Sequence, residues 1–166
     1  MTTTNIHIEP QLAEILATVS DPEIPVLSIM DMGVVRSAEM NGNIAEVTIT
    51  PTYSGCPAMD VIGDDIKKAL RDNGIEAKVN LVLSPAWTTD WITEKGRNAL
   101  EKYGIAPPLE PEADIAALLG NQKIVKCPQC GSHNTKMISQ FGSTACKAFF
   151  QCQDCQEPFD YFKCLK

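Results

Sequence analysis

Two Cys-x-x-Cys pairs, Cys127-Pro-Gln-Cys130 and Cys152-Gln-Asp-Cys155, stand 21 residues apart near the end of the chain and constrain it more than any other feature. Two residues between thiols let one tight turn aim both sulfurs at a single ion, and two such turns complete a tetrahedral set. Gly131 supplies a permissive backbone after the first turn. The stretches Thr135 to Ile138 and Phe149 to Gln151 read as strands, so the spacing predicts a zinc ribbon over 123–166. A tail this short has little core of its own, and the ion then contributes much of its folding free energy. Four thiolates around structural zinc leave no open coordination position, which suits holding or docking rather than catalysis. Sulfur ligands also suit an iron-sulfur cluster.

The chain carries seven cysteines, and six of them lie between Cys127 and Cys164. An odd number cannot be fully paired in disulfides, and thiols crowded in this way in a reducing compartment usually bind metal. The opening MTTTNIHIEP has neither the basic region nor the apolar run of a secretory leader, and no stretch approaches the roughly 20 apolar residues of a membrane helix. The expectation is a cytoplasmic protein that engages no membrane. Charge is uneven: residues 1–122 hold 8 Lys/Arg against 18 Asp/Glu, whereas 123–166 hold 6 against 3. An acidic body argues against nucleic acid as a partner, because phosphate binding needs a dense basic face.

Upstream of the tail, the Pro-rich stretch Gly104 to Glu112 divides the chain into an α+β domain over 1–104, a linker over 105–122, and the ribbon. Leu12, Ile15, Leu16 and Val19 follow helical spacing between Pro10 and Pro22. Asn41-Gly42 between two β-prone runs predicts a hairpin at about 33–50. Ala58, Ile62, Ile66, Ala69 and Leu70 form one helical stripe that stops at Gly74. Val79, Leu81 and Leu83 alternate as a third strand, and Thr89 is placed to cap a further helix reaching Tyr103. The order helix, strand, strand, helix, strand, helix predicts a small three-stranded sheet with covering helices. Within the linker, Asp114 to Leu119 has the pattern of one or two helical turns.

Cys56, in Thr50-Pro-Thr-Tyr-Ser-Gly-Cys-Pro57, leaves a strand and enters a helix. A thiol there meets unpaired amides and the positive end of the helix dipole, both of which favour thiolate. It reads as a nucleophile, a metal ligand, or a buried cap residue with no chemistry. Asp21-Pro-Glu23 and Asp31-Met-Gly33 offer three carboxylates as helpers, although Asp before Pro and near Gly is also ordinary turn chemistry. Cys146 and Cys164 are left over. They read either as a small buried side chain and a terminal thiol, or as a second thiol site for a transient metal or cluster. His7 and His133 lack a partner at ligand or dyad spacing, and Trp87 and Trp91 read as core packing around a helix start. No Walker loop, GxGxxG or GxSxG occurs, so nucleotide and serine-hydrolase chemistry lack support.

The run Asp21-Pro-Glu-Ile-Pro, Asp31-Met-Gly33, Thr50 to Cys56-Pro57 and Ser84-Pro-Ala-Trp87 resembles the small domain shared by iron-sulfur cluster assembly and targeting factors. With Phe141-Gly-Ser-Thr-Ala-Cys146-Lys-Ala, the two thiol pairs and Phe159-Asp-Tyr-Phe, nearly the whole chain resembles the PaaD or PaaJ family of the phenylacetyl-CoA epoxidase system. The resemblance implies an accessory or maturation role in aerobic phenylacetate catabolism, with no catalytic activity of its own. It implies that an iron-sulfur cluster or iron is installed in the di-iron oxygenase or in its iron-sulfur flavin reductase, which would be the partners. A structural or regulatory docking component that moves no metal is the alternative, and a homodimer is compatible with either. By the same carry-over Cys56 is the reactive or cluster-transfer thiol, with Asp21, Glu23 and Asp31 in support. Cys127, Cys130, Cys152 and Cys155 hold the zinc. The chain has no flavin fingerprint and none of the carboxylate and Glu-x-x-His helical pairs of a di-iron centre.

Overall fold

A computed structural model describes residues 6–53, 55–109, 115–117, 119 and 125–163. They form two compact units divided at 93/94 rather than at 104. The expected linker is not empty of structure: Ile105–Ala106 forms a short strand paired parallel to Pro158–Phe162, which draws the preceding helix into the second unit.

In the first unit α1 spans Pro10–Leu16 and buries Leu12 and Leu16. Val19 lies beyond its end and is buried all the same. Strands β1 (Val35–Asn41) and β2 (Ile44–Ile49) pair antiparallel as the hairpin signal predicts. The two-residue loop is Gly42-Asn43, one residue later than the Asn41-Gly42 reading. Gly42 takes φ +64 at the first loop position, where a glycine-first hairpin turn needs it. Helix α2 (Ala58–Asp72) buries Ala58, Met59, Ile62, Ile66 and Leu70 along one stripe, and β3 (Glu76–Leu81) returns parallel to β2. The sheet order is β1-β2-β3, with the β2-α2-β3 crossover placing the C-terminal ends of β2 and β3 together.

The segment after β3 differs from its expectation. Thr88, not Thr89, provides the cap, its Oγ1 accepting from the Asp90 amide, and only a 3-10 turn follows over Thr89–Trp91. The α-helix α3 begins at Glu94 and ends at Tyr103. The 87–93 segment is tied to the 31–36 segment instead: Trp87 Nε1 donates to Met32 O at 2.9 Å, and Thr93 Oγ1 donates to Asp31 Oδ1 at 2.8 Å.

The second unit contains α3, β4 (Ile105–Ala106), β5 (Thr135–Ser139), β6 (Lys147–Cys152) and β7 (Pro158–Phe162), with strand order β4-β7-β6-β5. Its core gathers Ala106, Val125, Ala148, Phe150, Phe159 and Tyr161 around Cys127 and Cys152. Phe150 stacks on Phe159 and meets Tyr161 edge-on, arrangements that the aromatic quadrupole favours. Residues 115–117 are helical, within the span expected at 114–119. Cys164 lies outside the described residues. No helix among those described is long and apolar enough to cross a membrane.

Candidate metal centre and thiol site

The ribbon brings Cys127, Cys130, Cys152 and Cys155 together from two turns, with all four sulfurs within 4.8 Å of one another. The turns are built alike. The Gly131 amide donates to Cys127 O at 2.9 Å and Gly131 takes φ +78; at the equivalent place in the second turn Gln156 takes φ +64 without being glycine. Gln156 is held there by its own side chain, whose Nε2 donates to Gln153 O at 2.7 Å. Asp154 links one turn to the other, accepting from Asn134 Nδ2 at 2.8 Å and from the Ser132 hydroxyl.

Sulfurs bound at about 2.3 Å to one tetrahedral ion lie roughly 3.8 Å apart. Cys127 and Cys155 Sγ are 3.8 Å apart, and Cys130 and Cys152 Sγ 3.6 Å. The set therefore fits a single ion such as zinc and is too tight to admit the irons and sulfides of a polynuclear cluster. Without a cation Cys152 and Cys155 do not ionise together. The Cys155 and Asp154 amides and the neighbouring thiols bring Cys152 down to about 7. Cys155 is favoured as thiolate by the Glu157 amide, yet burial and the other three thiols push it up to about 12. A divalent cation removes that conflict.

Cys146 does not join the set. It is buried at the start of the β6 hairpin arm, with its Sγ 3.0 Å from Thr144 Oγ1 and its carbonyl accepting from the Lys163 amide.

In the first unit Cys56 is half-buried where the loop from β2 enters α2. Pro57, the helix N-cap residue, offers no side-chain acceptor, and the Cys56 sulfur takes the Ala58 amide instead, with Tyr53 as a side-chain hydrogen-bond partner. The expected balance toward thiolate is reversed. Desolvation pushes the thiol pKa up, and the Glu23 and Asp21 carboxylates push it the same way, against the lowering by the Ala58 amide and Tyr53. Two of the three predicted helpers thus act on Cys56. Asp21 is buried and its Oδ1 accepts from the Glu23 and Ile24 amides at 2.8 and 2.9 Å, which fixes the 21–24 turn. Asp31 is engaged elsewhere, bonded to Ser28 and Thr93. Sequence reasoning missed Tyr53, although it stands three residues before Cys56 in the same loop.

Comparison with known proteins follows the two units. Residues 111–163 match the PaaD zinc beta ribbon domain, and residues 9–82 match the iron-sulfur cluster assembly protein family. A protein of Escherichia coli (strain K12), provisionally named as the D subunit of 1,2-phenylacetyl-CoA epoxidase, is 47% identical over 168 residues, covering 94% of each chain. The Fe-S protein maturation auxiliary factor YitW of Bacillus subtilis (strain 168) is 35% identical over 88 residues, 51% of this chain and 85% of that protein. The crystal structure of a DUF59 domain, of unknown function, from Bacillus anthracis covers 55% of this chain and 90% of its own at 33% identity, with a TM-score of 0.52.

Proposed function

The chain belongs to the PaaD family of phenylacetyl-CoA epoxidase components, and from that premise we propose that it is a maturation factor that helps insert an iron-sulfur cluster or iron into the oxygenase or its reductase. The observation that carries this reading is a thiol set apart from the saturated site: Cys56 stands at a loop-to-helix junction beside Asp21 and Glu23, in the part of the chain that matches iron-sulfur assembly proteins.

Burial and the two carboxylates keep Cys56 protonated at rest, which protects it from oxidation and from adventitious metal. When cargo iron arrives, a sulfur–iron bond forms and the thiol proton leaves to solvent. The negative charge of Glu23 and Asp21, unfavourable to a bare thiolate, then favours the cationic iron. The ribbon has a different task. Cys127, Cys130, Cys152 and Cys155 would hold zinc as a fold-stabilising ion, leaving a rigid surface for a client.

The test is elemental analysis and absorption spectroscopy on protein purified without oxygen, wild type against Cys56→Ser, with the reductase assayed in cells. The expected result is one zinc per chain in both proteins, iron and sulfide in wild type only, and a reductase short of cluster in the mutant. A fully loaded, active reductase in cells carrying Cys56→Ser overturns the proposal. The name of the Escherichia coli relative, which makes it a subunit, favours a second reading in which the chain stays in the oxygenase complex and moves no metal. Co-purification at fixed stoichiometry with active epoxidase supports that reading, and full activity of a complex lacking the chain rejects it.

A further inference from the structure

Arg36 sits at the irregularity of the first sheet. The β1–β2 register shifts between Val35 and Ser37, leaving Arg36 as the residue with no cross-strand partner. Only 7% of it is exposed, its guanidinium carbon lies 3.4 Å from the centroid of the Trp91 ring, and its Nε is sealed from solvent with no acceptor. Among the described residues no carboxylate pairs with it. Supply is not the reason, since residues 1–93 hold 13 acidic side chains against 5 basic ones. Buried guanidinium groups are ordinarily paired, because removing that charge from water is costly.

A second buried group stands nearby in the register. Thr50 is 1% exposed, its amide donates to Val34 O at 2.9 Å, and its Oγ1 has no hydrogen-bond partner. Val34 is two residues before Arg36, so both orphans lie at the end of the sheet where β2 stops and the loop to Cys56 begins. A guanidinium held over an indole by cation–π attraction still has N–H donors that need an acceptor. An oxyanion with two oxygens would satisfy such donors bidentately, supply the missing charge, and accept from a hydroxyl besides.

We propose that Arg36, held on Trp91, forms with Thr50 an oxyanion-binding site at this end of the sheet, taking a carboxylate or phosphate group. This does not depend on the cluster-insertion reading. The source is a carboxylate of a partner protein or the phosphate of a small molecule, and both present the same pair of oxygens.

The test is titration of the whole protein with inorganic phosphate and, separately, with acetate at constant ionic strength, following the Trp91 indole N–H and the Arg36 Nε–H by nuclear magnetic resonance. Saturable shifts of both signals are expected. Arg36→Met should abolish saturation of the Trp91 signal. Arg36→Lys, which keeps the charge but loses the fork, should weaken binding at least tenfold, and Thr50→Val should weaken it with the fold intact. Saturation by phosphate alone assigns a phosphate ligand, and saturation by acetate as well assigns a carboxylate. Shifts that stay linear with both anions, or an Arg36→Lys titration that matches wild type, overturn the proposal. If Arg36→Met does not fold, the lysine and valine variants still decide between these outcomes.

Discussion

Replacing Gly33 by alanine should destabilise the first unit far more than the same change at Gly42, although both glycines have positive φ. Gly33 takes φ +76, and a Cβ added there would lie 2.5 Å from the Trp91 carbonyl oxygen and 2.6 Å from the Trp91 Cβ. Ordinary contact begins at 3.4 Å, so the chain must move by almost an ångström. The obstacles are backbone and Cβ atoms rather than the end of a flexible side chain. Trp91 has little freedom to withdraw, because its amide bonds Thr88 O, its ring carries Arg36, and Thr93 just beyond it bonds Asp31 twice. At Gly42, φ is +64 and nothing lies within 4 Å.

Gly42→Ala therefore meets only the left-handed backbone cost of a residue with a Cβ, about 1–2 kcal/mol. Gly33→Ala adds overpacking of about 1–3 kcal/mol, for a total of about 2–5 kcal/mol. The chain has two tryptophans, Trp87 and Trp91, both in the first unit, so urea unfolding followed by tryptophan fluorescence reports that unit alone. With a slope of about 1.5 kcal/mol per molar urea, the midpoint should fall by about 1 M for Gly42→Ala and about 2 M for Gly33→Ala. Equal midpoints for the two variants would refute the claim that contact with Trp91, rather than backbone conformation, makes glycine necessary at 33.

Removing the ribbon metal with a chelator, or substituting Cys130→Ser, should abolish the near-ultraviolet signal of Tyr161 and its neighbours while leaving the tryptophan signal intact. Structural zinc supplies apparent binding energies of about 10–16 kcal/mol, more than a core this small can replace; a second unit that keeps its tertiary signal without metal contradicts the zinc assignment. At Cys56, the pH midpoint for alkylation should lie above that of an ordinary thiol, and Glu23→Gln should move it down, since one raising charge is gone. The same shift contributes to stability: a thiol whose pKa is raised on folding adds stability below the ordinary thiol range and loses it as pH rises through the folded value. Cys56→Ser should flatten that alkaline decline in the urea midpoint, and an unchanged decline assigns it to other groups.

The elements legible in the sequence were those whose signal is local. The α2 stripe, the hairpin and the two thiol turns each depend on residues within one segment; the stripe and the turns stand where their patterns predict, and the hairpin forms with its loop one residue later. What was not legible depends on contacts across the chain. The parallel return of β3 cannot be read from its alternation, which is the same for either direction. The 88–93 segment resembles a helix start, but Trp87 and Trp91 spend it on the 31–36 segment, and α3 forms only afterwards. The boundary moved because two residues, Ile105 and Ala106, pair with β7 despite the prolines that follow them. Gln156 adopts a left-handed conformation that glycine would have advertised. At the thiol site, the helix-start position predicts amide donors for a thiolate, and the Ala58 amide is one. Asp21 and Glu23 were legible as neighbours of the thiol, but how far burial outweighs the amide was not, and burial together with those two carboxylates determines the sign of the shift.

The two thiol environments also limit what a transfer step can look like. Four sulfurs within 4.8 Å close a tetrahedron, and an ion inside leaves only by breaking sulfur bonds, which suits permanence. Cys56 offers one sulfur, and its carboxylate neighbours are Asp21, whose Oδ1 already accepts from two amides, and Glu23. One thiol beside two carboxylates does not supply the thiolate set that holds a cluster. On the proposed reading, the remaining ligands must come from the client or from a second copy of the chain, so cargo would be held stably only while the receiving protein is present. Protein purified alone should then carry cluster at well below one equivalent. Adding the iron-free reductase before reconstitution should raise iron retention in wild type and leave Cys56→Ser unchanged, and retention that ignores the reductase would place the missing ligands within this chain.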